Sequence, residues 1–587
     1  MKNILRTPKW VFMVGVVFGL VSLVLSFFVL PCFRLATYTL EGEPPSQKTW
    51  PFFTPDSETK NVKWDVPLQL SFLHPSKFVI VGNGTVNSLE VNGRQIPLEF
   101  PQSLGDQIQW HVNLGGYLKA GENTLSFQIQ KGTGKSILRV FLSPTDPLNL
   151  CFLSVTLLTL ATLIWAWHLK QPNLLPIWIA SILFFGIAIR IVYVSGTPYT
   201  IRAYDTSGHI EYIKYVAERM ALPAPKLGFE THQAPLYYFS CGMLMRELGM
   251  ESTSVLYGRW QLFSLAMSIG SFLLCLPISR ILFPAKEDEI SQCIFLAVLA
   301  TYPGLVFTAS RVSNDVPYAF LSFLWAFLLL RSWQDPRHRQ WIYVFLCLGV
   351  GMLTKNTTLV LLGATGGCIA IHPQMLIRSK MVSIFVLVLV LLAIDGWYQI
   401  PRAIGSSDAT SFVVATHDLN GGLRVPCSIR TILTFNPLEI VKIPFNSSWL
   451  DSARRMYFAE YFFKSSLFGE WPMPDYLLLS ARALSVSCLI LLPVIAFGFL
   501  RGFLHRCEFF WPMALMGGFF FGATLLYFCK CHFACNQDFR FQVLILLPLS
   551  YWLARGTEFW KINAPILPLI FVGNAVLFLS LLIFLWD

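Results

Sequence analysis

Apolar runs of about 20 residues recur through this sequence, and each is long enough to cross a lipid bilayer as a helix. One lies at 10–30. Others follow at 149–168, 173–196, 255–282, 291–309, 315–333, 341–354, 357–373, 381–400, 478–500, 509–529, 541–555 and 564–586. Read together they predict about thirteen spans, some of them short. Only 13% of the residues are charged, whereas a soluble domain carries about a quarter. The predicted fold class is therefore a polytopic α-helical membrane protein. Soluble enzyme folds are excluded for most of its length.

The net charge of +11 fits Lys and Arg gathered in cytoplasmic loops better than nucleic-acid binding. No zinc-finger spacing, P-loop or dinucleotide fingerprint accompanies it. Thirteen cysteines are scattered, many inside apolar runs, where they serve as small core residues. The exception is Cys529-Lys530-Cys531-His532-Phe533-Ala534-Cys535. Its spacing matches no standard zinc pattern, which favours plain packing over a metal site or a disulfide.

Two regions break the apolar pattern. Between about 38 and 147 the period changes to two: Leu125, Phe127 and Ile129 alternate with Ser126, Gln128 and Gln130, and Leu138, Val140 and Leu142 repeat the pattern. Asn92-Gly93 between apolar-alternating flanks signals a hairpin. The expectation is a small extracytoplasmic antiparallel β-sandwich. The second break is Ala203-Tyr204-Asp205-Thr206-Ser207-Gly208-His209 and the polar stretch after it as far as Tyr238, rich in acids, histidines and prolines.

Topology turns on the apolar but short segment 235–248, interrupted by Arg246 and Glu247. If it does not span, the basic segments at 331–339, 378–380, 501–506 and 555–561 all fall in the cytoplasm, as the positive-inside rule requires. If it spans, all move outside. The segment is therefore expected to be a juxtamembrane helix at the outer interface. The same choice puts Asp205, Asp315, Lys355, the 401–477 loop and the 531–540 segment on the outer side. The predicted organisation is an uncleaved N-terminal membrane anchor (1–37), the β-sandwich (38–147), a transmembrane core (148–400) with its outer loop at 197–254, an extracytoplasmic loop (401–477) and C-terminal transmembrane helices (478–587) in the plasma (inner) membrane.

Several outer residues carry chemistry. Asp205 and His209 share a face if 204–219 is an amphipathic helix, being i,i+4 neighbours. Asp205 is also a favoured residue for capping that helix, and Asp315 for capping the span that begins at Val316. Lys355 and Arg540 stand at outer membrane ends, where a lipid phosphate would lie, and simple snorkelling competes with that role.

These motifs resemble the GT-C superfamily of membrane glycosyltransferases, with glycosyltransferase family 39 the nearest branch; it includes protein O-mannosyltransferases and lipid A aminoarabinose transferases. The resemblance rests on Arg190 ending a span, Tyr204-Asp205-x-x-x-His209, and Leu222-Pro223. It continues through Glu230-x-His232-Gln233-x-Pro235-Leu236-Tyr237-Tyr238, then Ala309-Ser310-Arg311-Val312-Ser313-Asn314-Asp315. Leu353-Thr354-Lys355 and Gln537-Asp538-Phe539-Arg540-Phe541 before Leu547-Pro548 complete it. One departure is Ala234 where that family often has a first of two prolines. The resemblance covers roughly 173–560. It implies a polyprenyl-phosphate sugar donor, a glycan, lipid or protein acceptor, and inverting transfer with Asp205 as base and Asp315 as a second acid. It further implies Lys355, Arg540 and Arg311 on the donor phosphate, and Arg202, Tyr204, His209, Glu230, His232, Gln233, Tyr237 and Tyr238 lining the substrate loop. Glu230 and His232, with His209 or His532, are the candidates for holding a divalent metal ion, a cofactor the resemblance allows without requiring. The β region resembles galactose-binding-like jelly-roll modules, with a packing or acceptor-presenting role preferred. The alternatives are an O-antigen ligase or polymerase, which usually lacks the acidic first-loop motif, a transporter or flippase of lipid-linked sugars, which would carry mid-span charges and internal repeats, and a sugar-binding sensor.

Overall fold

The structure is a computed structural model. It describes the strand segments between residues 36 and 142 with the turns at 92–93 and 114–118 (in part), and residues 175–585 except 196, 198, 200–201, 203, 225–226, 248–253, 286–287, 406–420, 472, 474–476 and 561–565. The expected anchor run at 10–30 and the span at 149–168 lie outside the described residues.

Alternating residues build the β region as two antiparallel sheets. The first holds β1 (Ala36–Leu40), β2 (Ser46–Lys48), β4 (Asn61–Leu70), β6 (Thr85–Val91), β7 (Arg94–Ile96) and β10 (Gly121–Gln130), in the order β2-β1-β4-β10-β6-β7. The second holds β3 (Phe52–Phe53), β5 (Lys77–Gly82), β8 (Gln102–Leu104), β9 (Gln107–Asn113) and β11 (Ile137–Leu142), in the order β3-β11-β5-β9-β8. β10 pairs with β4 from Gly121↔Leu70 to Gln130↔Asn61. This register puts Trp64, Val66, Leu125, Phe127 and Ile129 on one buried face. Asn92 and Gly93 turn β6 into β7 with φ of 51° and 79°, the left-handed pair a two-residue hairpin requires. The Asn92 amide then donates to Asn123 Oδ1 at 2.9 Å, tying the turn to β10.

The helical body starts with α1 (Leu175–Ser195). Arg190 is buried on it, and its guanidinium donates to the carbonyls of Gly186 (2.7 Å), Ala300 (3.0 Å) and Leu299 (3.3 Å). The last two are carbonyls at the C-terminal end of α5 (Glu289–Thr301), where the helix dipole favours a cation. Between them in sequence come α2 (Thr206–Arg219), α3 (Leu236–Glu247) and α4 (Ser254–Leu282). The amphipathic α2 buries His209, Tyr212, Ile213 and Val216. It packs on α3 through Tyr212 and Tyr238, whose rings stack 4.0 Å apart. Twelve residues make α3 only about 18 Å long, short of the ~30 Å hydrocarbon core.

The apolar run expected at 291–309 is a bent helix pair. After α5 the chain bends by 58° into α6 (Pro303–Val306) and the 3-10 turn Phe307–Ser310. Tyr302 is extended (φ −63°, ψ 118°), because the residue before a proline is pushed out of the helical region. There follow α7 (Asp315–Gln334), α8 (His338–Thr354), α9 (Thr358–Ile371) and α10 (Ile377–Gly405). Residues 421–471 form a compact segment of short helices: α11 (Ile429–Leu433), α12 (Pro437–Lys442) and α13 (Phe458–Phe468). Its interior is braced by Arg454 on the fully buried Glu460, at 2.6 and 2.7 Å.

The chain closes with α14 (Leu478–Leu504), α15 (Phe510–Lys530), the 3-10 segment Phe539–Ile545, α16 (Leu546–Trp560) and α17 (Ile566–Leu585). Gly498 and Gly556 bring α14 and α16 backbone to backbone: a Cβ on Gly498 would strike the Trp552 carbonyl, and one on Gly556 the Val494 carbonyl. This locks α16, and with it the segment carrying Arg540. Among the described residues six helices are long and apolar enough to cross a membrane, or seven with the bent α5–α6 pair, and three shorter apolar helices accompany them. The protein is a multi-pass helical membrane protein.

Candidate active site

Asp205 sits at the N-cap position of α2 with φ 52°, yet its side chain makes no cap bond. Its Oδ2 instead accepts from Arg540 Nη2 at 3.1 Å, a contact between residues 335 apart in sequence. The Asp205 side chain is 35% exposed and that of Arg540 10%. Capping, the competing role for Asp205, is therefore not what the geometry shows. The same holds for Asp315. It is the first residue of α7, Asn314 occupies the cap position, and the carboxylate is ion-paired with Lys355 in a contact where both side chains are under 10% exposed. Lys355 is fixed by the break between α8 and α9, where its extended backbone donates to the Gly351 carbonyl at 2.8 Å.

Three helices and a loop converge here. Asn314 Nδ2 donates to the Thr354 carbonyl and to Gln233 Oε1, each at 3.2 Å, so the substrate loop docks where α7 and α8 meet. Tyr398 on α10 donates to the Gln233 carbonyl at 2.9 Å. His209 shares a 2.7 Å hydrogen bond with the Tyr238 hydroxyl. Burial pushes the His209 imidazole down to about 4, so it is neutral at working pH, although Asp315 and Asp205 pull the other way. Burial, helped by Asp205, pushes Glu230 up to about 8.

The arginines form an aromatic-lined group. Tyr204 is buried between two of them, with the Arg540 guanidinium carbon 4.1 Å and that of Arg311 4.4 Å from its ring centre. The Trp471 ring packs tilted against Tyr204, with centroids 4.6 Å apart, and lies 5.8 Å from the Arg311 guanidinium carbon. Lys355 Nζ lies 5.2 Å and the Arg540 guanidinium 4.8 Å from the Phe541 ring. Among the described residues, Arg311 Nε and Nη1 and Arg540 Nε are buried without a hydrogen-bond partner. Buried cationic donors of this kind suit an anion.

The other expected residues are placed as follows. Arg202 donates to the Tyr193 hydroxyl on α1 at 3.2 Å. Tyr237 is buried edge-on to Tyr238. His232 Nδ1 hydrogen-bonds the Phe229 carbonyl at 3.0 Å, and burial lowers its pKa. His532 belongs to a backbone pairing with Val425. Among the described residues no three His, Cys, Asp or Glu side chains gather closely enough to hold a metal.

Sequence reasoning missed two acids. Glu470 is partly buried and accepts from the Tyr461 hydroxyl at 2.6 Å and Ser448 Oγ at 2.5 Å. Burial, then the neighbouring Asp538, pushes it up to about 7. Asp538 is itself raised by burial, against the pull of Arg540 and Arg311, and its Oδ1 accepts from the Arg540 backbone N–H at 2.8 Å. The structure places Glu470 after Gly469, whose φ is 71°, and before Trp471, which packs against Tyr204.

A family model described as dolichyl-phosphate-mannose-protein mannosyltransferase matches residues 235–398. That segment holds Arg311, Asp315 and Lys355 and excludes Asp205 and Arg540. No curated protein sequence matches the chain. Among solved structures, the Archaeoglobus fulgidus oligosaccharyltransferase, in a complex with Zn and sulfate, overlaps at 11% identity and TM-score 0.40, over 68% of this chain and 53% of that one. ArnT from Cupriavidus metallidurans bound to undecaprenyl phosphate overlaps at 13% identity and TM-score 0.33, over 68% and 77%. The arabinosyltransferase EmbB from Mycobacterium smegmatis overlaps at 12% identity and TM-score 0.33, over 94% and 53%. The chain thus spans about half the length of the first and third of these.

Proposed function

We propose that this chain, a GT-C-type membrane glycosyltransferase by its match to the mannosyltransferase model, takes a sugar from a polyprenyl-phosphate donor and passes it to an acceptor at the extracytoplasmic face. The observation that carries the reading is the half-exposed Asp205 carboxylate held by Arg540 beside a second guanidinium, Arg311, whose Nε and Nη1 have no hydrogen-bond partner.

In the proposed reaction the donor phosphate draws Arg540 and Arg311 to itself, which loosens Asp205 from its ion pair. The acceptor hydroxyl gives its proton to Asp205 while its oxygen attacks the anomeric carbon from the face opposite the phosphate. The sugar–phosphate C–O bond breaks, and its electron pair leaves with the polyprenyl phosphate. Fixed guanidinium charge stabilises that leaving group without an acid. Lys355 is committed to Asp315, so its part is to hold the α7–α8 junction and add positive field, rather than to be the first phosphate ligand.

The outward placement is supported by α7 and α8. They present Asp315 and Lys355 at one end and Arg331, Arg337 and Arg339 at the other, about 30 Å away. Basic residues at that far end suit a cytoplasmic turn and a plasma-membrane location.

The test uses the purified full chain with polyprenyl-phosphate sugars, nucleotide sugars and membrane extracts as acceptor source. Transfer from the lipid-phosphate donors is expected, with Asp205→Asn reducing it while still binding undecaprenyl phosphate. Undiminished transfer by the variant removes Asp205 from the mechanism, and a preference for nucleotide sugars removes the donor class.

A further inference from the structure

The 421–471 segment meets the end of α15 along a short backbone pairing. Arg424 and Phe533 form an antiparallel bridge, and the Val425 N–H donates to the His532 carbonyl at 3.0 Å. The Arg424 guanidinium also lies 5.6 Å from the Phe533 ring. Beneath this pairing Val425, Phe458, Tyr461, Phe528 and Ala534 form one buried cluster. Two residues beyond Val425 is Cys427, and one beyond Phe528 is Cys529. Cys427 thus follows the pairing by two residues on one side, and Cys529 precedes it at the end of α15 on the other. The two thiols are exposed and are close enough to interact with one another. Most other described cysteines are buried in the helix stack. Cys531 and Cys535 are partly covered, and the Cys535 thiol is turned to Asn536 Oδ1 at 3.8 Å.

We propose that Cys427 and Cys529 are a disulfide-forming pair that staples the 421–471 segment to the outer end of α15. The bond would close a loop of about one hundred residues, the range where a crosslink restrains the unfolded chain most. It would also act on the site. The segment it fastens touches the Asp538–Arg540 stretch at two points: the Gln537 amide donates to the Arg455 carbonyl at 2.9 Å, and the Phe539 N–H donates to Ser465 Oγ at 2.9 Å. The staple therefore fixes the distance between Glu470 and the segment bearing Arg540.

The chemistry is thiol–disulfide exchange with an external disulfide, either a small molecule or an oxidoreductase. One cysteine thiolate attacks it, forming a mixed disulfide and releasing one thiol. The second thiolate attacks the mixed disulfide, closing Cys427–Cys529 and releasing the other thiol. Two protein thiols are oxidised and one external disulfide is reduced to two thiols. In the cell this rests on the outward placement proposed above, since such bonds persist on the oxidising side of a membrane.

Two experiments separate the pairing from the placement. The purified full chain is treated with oxidised glutathione, alkylated, and mapped by mass spectrometry without reduction. A crosslinked peptide joining Cys427 and Cys529 is expected. The proposal is overturned if both remain thiols, or if either pairs with Cys531 or Cys535. Cys427→Ser, Cys529→Ser and the double variant should lower the thermal midpoint of the oxidised protein by the same amount and leave that of the reduced protein unchanged; additive losses overturn it. Separately, intact cells are reduced and labelled with a membrane-impermeant maleimide. Labelling of both cysteines supports the native disulfide. A crosslink that forms in detergent, with labelling in cells only after the membrane is opened, overturns the outward placement and the native disulfide together, and leaves only the geometric pairing.

Discussion

Two acid–base pairs lie in one site, and they are built for different duties. Asp315–Lys355 joins the start of α7 to the break after α8, forty residues apart, with both side chains under 10% exposed. Asp205–Arg540 joins residues 335 apart, and its carboxylate is 35% exposed. A buried pair is costly to break, because the surviving charge has no solvent to turn to. A half-exposed pair is held weakly, so an incoming anion can take over its cation. In the proposed mechanism the difference gives the chemistry to Asp205 and a scaffolding part to Lys355, although Lys355 and Arg540 look alike as candidates in the sequence.

The comparison is broken most directly at Asp205. Asp205→Asn should lower transfer by about 10²–10⁴-fold, the range of a lost general base, with a thermal midpoint close to that of the unmodified protein. Loss of both activity and fold would mean that the exposed pair is a scaffold too. The next effect falls on the buried pair. Lys355→Met leaves Asp315 buried and unpaired, at a cost of about 3–5 kcal/mol, seen as poor thermal stability in detergent. Asp315→Leu combined with Lys355→Met removes both charges and should recover most of that loss. A double variant no more stable than the single one would show that Lys355 has some other essential partner.

How far the sequence shows these features depends on the range of the interactions. The spans follow from the apolar runs: 315–333 is found as Asp315–Gln334 and 255–282 as Ser254–Leu282. The strands follow from alternation, and the β6–β7 turn from Asn92-Gly93. The run at 291–309 is apolar throughout, and the bend at Tyr302–Pro303 shows in the sequence only as a single proline. Asp205 and Arg540 could each be nominated from local motifs, but their bond spans most of the chain, and nothing local announces it. Glu470 was harder still. Its significance comes from the fold bringing Asp538, Tyr461 and Ser448 around it, and a lone acid in a polar loop looks like a solvated one.

Glu470 sharpens the contrast between charges that pair and charges that do not. Its folded pKa, about 7, lies above the usual glutamate range, because of burial and then Asp538. Between roughly pH 4.5 and 7 the folded protein therefore holds more protons than the unfolded chain, so stability falls as pH rises through that window. Glu470→Gln cannot ionise. It should raise the thermal midpoint above pH 7 and change it little at pH 5. An equal shift at both pH values would make the effect one of packing.

The smallest expected effect tests whether the neutral histidine beside Asp205 depends on its tyrosine. His209 Nδ1 and the Tyr238 hydroxyl are 2.7 Å apart and both buried. Tyr238→Phe keeps the stack on Tyr212, which is made by the ring, and deletes only the hydrogen bond. The expected cost is about 1 kcal/mol for the bond, somewhat more if the imidazole nitrogen is left unsatisfied. The histidine also sets a sign. Its folded pKa, about 4, is below the usual histidine value because of burial. The stability it contributes is present above pH 6.5 and is lost as pH falls towards 4. Tyr238→Phe should lower the midpoint at pH 7.5 by a small amount while leaving transfer within a fewfold of the unmodified rate, because neither residue is asked to take the acceptor proton. A loss of transfer as large as that of Asp205→Asn, with the fold intact, would move the proton-accepting role from Asp205 to the His209–Tyr238 couple.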